Sequence, residues 1–186
     1  MTASNALIQV EHWLDQVVIG LNLCPFASKP RRQNQIHIDL FSGDLEQLVP
    51  HLVQALTELD AMSPAQRETT IIVLENVLGD FDEYNDFLDQ AQWVIEQSGW
   101  EGTYQIASFH PDYQFADTQP QDRENLTNRS PFPILHLIRE ASLEEVLAKY
   151  PNPESIPDNN IKRMETLSEN DIATLFPYLL HNRHSQ

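Results

Sequence analysis

Three phrases of this sequence gather the side chains that chemistry needs. FHPDYQF spans 109–115, NLTNRSPFPILHLIRE spans 125–140, and LNLCPFA spans 21–27. His110 follows an apolar stretch, where a positioned imidazole can act as general acid or base. The planar fork of Arg129 suits a carboxylate or phosphate. Asn128 and Ser130 flank it with short donors and acceptors, and Tyr113 and Arg139 lie within the same span. Together they suggest an enzyme acting on a small anionic metabolite. His110 is then the acid/base, and Arg129 clamps the anion with help from Asn128, Ser130, Tyr113 and Arg139.

Cys24 is the chain's one cysteine, so no internal disulfide forms. As a nucleophile it needs a lowered pKa. It follows the C-terminal end of a predicted helix, whose negative pole opposes that, while KPRR at 29–32 brings compensating positive charge. The alternatives are a small buried hydrophobe and, through Cys-Pro, a thiolate ligand to haem iron. The last keeps open a non-catalytic binding module for a nucleotide-like or haem-like ligand. A single cysteine and scattered histidines give no paired spacing for zinc. Asp80 to Asp89 lacks the glycine and distal glutamate of an EF-hand. His181 and His184 form a short pair near the C-terminus.

These residues need a frame. Leu7, Val10, Leu14, Val17 and Leu21 make an apolar stripe that predicts a helix from a cap at Ser4 or Asn5 to about Leu23. Alternation over 35–43 predicts a half-buried strand, and 68–76, apolar on both faces, a central one. Between them Leu45 to Leu59 has helical spacing, with a kink or a start expected at Pro50. Asp80 and Glu83 cap a helix carrying Phe81, Tyr84, Leu88, Ala91 and Ile95. Residues 102–109 and 132–140 read as two further strands joined by a long loop over 110–131, a length that points to function. His136 and Arg139 fall on opposite faces of the last strand, so they do not form one cluster. His136, beside Ile134 and Ile138, reads as a core histidine.

The order predicts an α/β fold: a four-stranded mixed sheet with packed helices, an N-terminal helix and a helical C-terminal tail. A two-layer α+β sandwich is the alternative. Two βα units favour parallel pairing of the first three strands. The whole is expected to be one domain, with a core over 1–150 and a helical extension over 151–186.

Net charge is −17, and residues 44–101 hold thirteen acids against one base, Arg67. Such a field repels nucleic acid and anionic membranes. It also supports a third reading, an acidic protein-interaction domain whose surface over 80–101 meets a basic partner. No apolar run approaches the ~20 residues of a membrane span. The N-terminus lacks the basic start of a secretory signal. A cytoplasmic protein is expected.

LNLCPFA, FHPDYQF and NRSPFPILHLIRE, in that order, resemble a family of small bacterial proteins known only as a domain of unknown function. The similarity runs from the first helix to beyond Arg139. It implies a soluble cytosolic protein and supplies no reaction or cofactor. Its phrases include Asn22, Cys24, His110, Tyr113, Asn128, Arg129, Ser130, His136 and Arg139.

Overall fold

Ser4 opens the first helix, its Oγ accepting the Ala6 amide at 3.2 Å. The computed structural model describes residues 4–179, and His181 and His184 lie outside them. Helix α1 (Asn5–Trp13) passes into a π-helical segment, Leu14–Ile19. A π turn inserts extra backbone, so the buried face is no longer one regular stripe. Ala6, Val10, Trp13, Leu14 and Val17 are buried, while Leu7 and Leu21 are only half-buried. The chain then passes through the short α2 (Ser28–Arg32) to β1 (Ile36–Phe41).

Helix α3 (Leu45–Asp60) runs through Pro50 and starts five residues before it. Its start is set by Asp44, whose amide donates to Gln47 Oε1 at 3.2 Å, so the cap prevails over the proline. Strand β2 (Thr69–Leu74) is buried at every position. Helix α4 (Phe81–Gln97) follows, with the Asp80 carboxylate accepting the Asp82 and Glu83 amides. Then come β3 (Tyr104–Phe109), a 3₁₀ turn (Arg123–Thr127) and β4 (Ile134–Arg139). Helices α5 (Glu140–Leu147), α6 (Ile156–Glu165) and α7 (Glu169–Leu175) follow within the described residues.

The sheet order is β1-β2-β4-β3. β1 and β2 pair in parallel, whereas β4 is antiparallel to both β2 and β3. The sheet is mixed as expected, but the expected parallel pairing of the first three strands is corrected. β3 shares their direction yet pairs only with β4, which occupies the slot between β2 and β3. The reason is burial: Ile134, Leu135 and Leu137 are fully buried, and a strand apolar on both faces needs neighbours on both sides. The half-exposed strands β1 and β3 form the edges.

Helices cover both faces, which decides against the two-layer alternative. Ile72, Leu74, Leu135 and Leu137 pack with Leu52 and Leu56 of α3 and Tyr84 and Ile95 of α4. Strand residues of the opposite parity, Ile71, Val73 and Ile134, pack with Val10, Trp13, Met164 and Phe176. The C-terminal helices thus share one core with α1. Burying Met164 and Phe176 contributes roughly 1.5–3 kcal/mol each. Among the described residues, no helix is long and apolar enough to cross a membrane.

Candidate functional site

β1, β2 and β3 all end at one edge of the sheet, where β4 begins, and α/β folds tend to place ligands at such an edge. The 110–131 loop stands there. His110 is its first residue and is fully buried. Its amide donates to the Asn128 carbonyl at 3.2 Å, and its carbonyl accepts the Ser130 and Tyr113 amides. The loop's two ends therefore continue the pairing of β3 with β4. His110, Tyr113, Asn128, Arg129 and Ser130 do meet in one cluster.

What the cluster does with its polar atoms differs from the expectation. The Asp112 amide donates to His110 Nδ1 at 3.0 Å. An amide can only donate, so Nδ1 carries no proton, and Nε2–H donates to the Leu78 carbonyl at 3.1 Å. Phe81 and Tyr84 pack against the ring, with centroids 5.2 and 5.0 Å away. Burial lowers the pKa, with the Leu78 carbonyl opposing it only in part. Neither nitrogen is left for a substrate proton, so the geometry favours a structural histidine over an acid/base.

Arg129 likewise binds its own loop. Nε donates to the Tyr113 carbonyl at 3.2 Å and one terminal nitrogen to the Pro120 carbonyl at 2.6 Å. The Arg129 carbonyl in turn accepts Trp13 Nε1–H at 3.0 Å and the Tyr178 hydroxyl at 3.1 Å. Asn128 Nδ2 donates to the Ser108 carbonyl, and Ser130 Oγ to the Phe132 carbonyl. The fully buried Asn125 accepts the Phe115 amide and the Thr118 hydroxyl and donates to the Gln119 carbonyl. Tyr84 adds a tie that periodicity alone does not signal. Its buried hydroxyl donates to the Ile134 carbonyl at 2.6 Å and accepts the Phe109 amide at 3.2 Å.

Arg139 stands apart. It pairs with Tyr104 at the start of β3, whereas Ile134 pairs with Phe109 at the end. Five residues of strand put it roughly 17 Å from the loop. Its guanidinium donates to the carbonyls of Leu59, Met62 and Arg67 and to the Tyr104 hydroxyl, which donates on to Asp60. It clamps the opposite edge of the sheet and is not part of a ligand site with Arg129. His136 Nε2 lies 2.6 Å from Thr69 Oγ1, and burial pushes its pKa down to about 4. That is a core histidine, although part of its surface is still exposed.

Cys24 is half-buried. Burial raises its pKa, and the Phe26 and Ala27 amides offset this only in part. Within the basic segment Arg31 is bound by Asp15 at 2.8 Å and by Glu11, and its charge is neutralised there. A thiol with a raised pKa is a weak nucleophile at neutral pH. Among the described residues, no cluster of three or more His, Cys, Asp or Glu side chains could hold a metal ion.

Two grooves flank the ridge at Phe115 and Ala116. One, of about 410 Å³, lies between the ridge, the 3₁₀ turn and α6, and its lining includes Phe115, Glu124, Thr127, Asn128 and Asn160. The other, of about 460 Å³, lies against the start of α4 and is lined by Phe81, Asp82, Tyr113, Phe115 and Asp117 among others. Neither lining includes a lysine or an arginine. Nothing among the curated proteins or the solved structures matches the chain. A family model described as protein of unknown function (DUF1415) matches residues 5–174, and the chain belongs to that family.

Proposed function

We propose that this chain is a non-catalytic binding domain for a small, uncharged, donor-rich metabolite of nucleoside type, held in the groove between the Phe115 ridge and α6. One observation carries the reading. The loop's strongest polar groups, at His110, Asn125 and Arg129, are engaged by backbone groups of the loop and, at His110 Nε2, of Leu78, whereas the groove beside them presents acceptors. Asn160, whose Nδ2 donates to the Leu23 carbonyl at 2.8 Å, lines the groove and has a side-chain carbonyl that can accept. Glu124 adds a carboxylate. Phe115, 36 % exposed, offers a ring face for stacking. The volume falls in the range of small-molecule sites.

An enzyme acting on an anionic metabolite has less support. Arg129 is bound to carbonyls and His110 has no spare nitrogen. A phosphate or carboxylate in this groove meets Glu124. Ligand-observed NMR with a set of nucleosides and their 5′-monophosphates tests the reading. The nucleosides are expected to bind at least as tightly as the monophosphates, and Glu124→Gln is expected to weaken them. Binding of the monophosphates alone, or of no nucleoside, overturns it.

A further inference from the structure

The groove on the other side of the ridge has a different chemistry. Phe81, Tyr113 and Phe115 form a run of rings, with centroids 5.3 Å apart for Phe81 and Tyr113 and 5.0 Å for Tyr113 and Phe115. Neither contact is a parallel stack, the rings meeting at 56° and 66°, and all three line the groove. Two carboxylates, Asp82 and Asp117, complete the lining, and both residues are exposed. The helix pole at α4 is positive and would oppose a cation. The Asp80 carboxylate accepts the Asp82 and Glu83 amides at 2.9 and 3.1 Å and so offsets that pole.

Aromatic faces carry negative potential, and rings combined with carboxylates recognise alkylated ammonium groups. We infer that this groove is a binding site for an organic cation, an alkylated ammonium head group, held against Tyr113 and Phe115 with Asp82 and Asp117 as counter-charges. Segment 44–101, with thirteen acids and one base, draws cations toward it. The site shares Phe115 with the nucleoside groove but uses neither Glu124 nor Asn160, which lie across the ridge, so it does not rest on the nucleoside reading.

The probe is choline, with 3,3-dimethyl-1-butanol as its uncharged isostere, titrated into the full chain labelled with ¹⁵N. Choline is expected to shift the amides of 81–85 and 113–117, and the alcohol to shift them far less. Tyr113→Leu and Asp117→Asn are each expected to weaken choline about two- to fivefold. Asp117 has a φ of +65°, a conformation that asparagine tolerates, so this variant preserves the fold if Tyr113→Leu does not. Asp117→Asn is expected to leave nucleoside binding unchanged, which separates failure of one site from failure of the other. A peptide carrying trimethyl-lysine between glycines and serines distinguishes the source. Binding no tighter than choline means that a free metabolite suffices, and tighter binding means a modified side chain; either supports the ammonium site. Equal shifts from choline and the alcohol overturn it. So do choline shifts spread along 86–96 and unaffected by Asp117→Asn, which would mark a diffuse counter-ion.

Discussion

His136 makes a measurable demand on pH. Its folded pKa lies at about 4 because burial disfavours the imidazolium, against about 6.5 in the unfolded chain. The unfolded state therefore binds the proton first as pH falls. The stability contributed by the neutral ring is fully present above about pH 6.5 and is lost as pH falls toward 4. One group contributes a slope of up to about 1.4 kcal/mol per pH unit, so from pH 7 to 4.5 the loss from His136 is about 2–3 kcal/mol. His110, also lowered by burial, adds a loss of the same sign. Urea unfolding of wild type and His136→Asn at pH 7.0, 6.0, 5.0 and 4.5 isolates the effect. Asparagine keeps a polar partner for the Thr69 hydroxyl and removes the titration. Wild type is expected to lose about 2–3 kcal/mol more than the variant over that range. Parallel profiles, within about 0.5 kcal/mol of each other, refute the buried neutral ring.

Further expectations concern the ties around the loop and the far edge. Tyr84→Phe leaves the Ile134 carbonyl and the Phe109 amide without their hydroxyl partner, and should cost about 2–4 kcal/mol in chemical denaturation. A loss below about 0.5 kcal/mol means that these groups find other partners. Arg139→Lys replaces a fork spanning three carbonyls and the Tyr104 hydroxyl with a point charge, and should cost about 2–3 kcal/mol. Cys24, with its raised pKa, should react with iodoacetamide at pH 7.5 at least about tenfold more slowly in the native state than in urea. Rapid native labelling restores the nucleophile.

The four strands were legible because alternation and short apolar runs bounded by turns are local signals. Ile36–Phe41, Thr69–Leu74, Tyr104–Phe109 and Ile134–Arg139 all fall within the stretches so read. Their order was not, although the apolar character of β4 on both faces hinted at an interior place. The helix start at Leu45 was set by Asp44 and Gln47, a cap that outweighs the proline six places into the helix. Leu45, the first of the helically spaced leucines, is 50 % exposed.

The site was legible as a place and misleading as chemistry. Histidine, arginine and asparagine look alike in sequence whether they face a ligand or a carbonyl. The partner that occupies His110 Nε2 is the Leu78 carbonyl, 32 residues upstream and presented by a backbone with φ +55°. No local pattern announces it. Arg139 was grouped with Arg129 by nearness in the chain, yet an extended strand carries residues ten apart to opposite edges. The grooves depend on Phe115, Asp117 and Asn160, whose types are ordinary for loops and helix surfaces. The one available signal was aromatic: Tyr113 and Phe115 in a polar loop needed something to pack against.

The most direct test of the account is ¹⁵N NMR of the His110 side chain. If the loop is a scaffold held by backbone hydrogen bonds, Nε2 carries the proton, Nδ1 is bare, and burial keeps the ring titrating below an ordinary histidine. A ring that titrates near 6.5, or one that carries its proton on Nδ1, contradicts it and returns His110 to the role of acid/base.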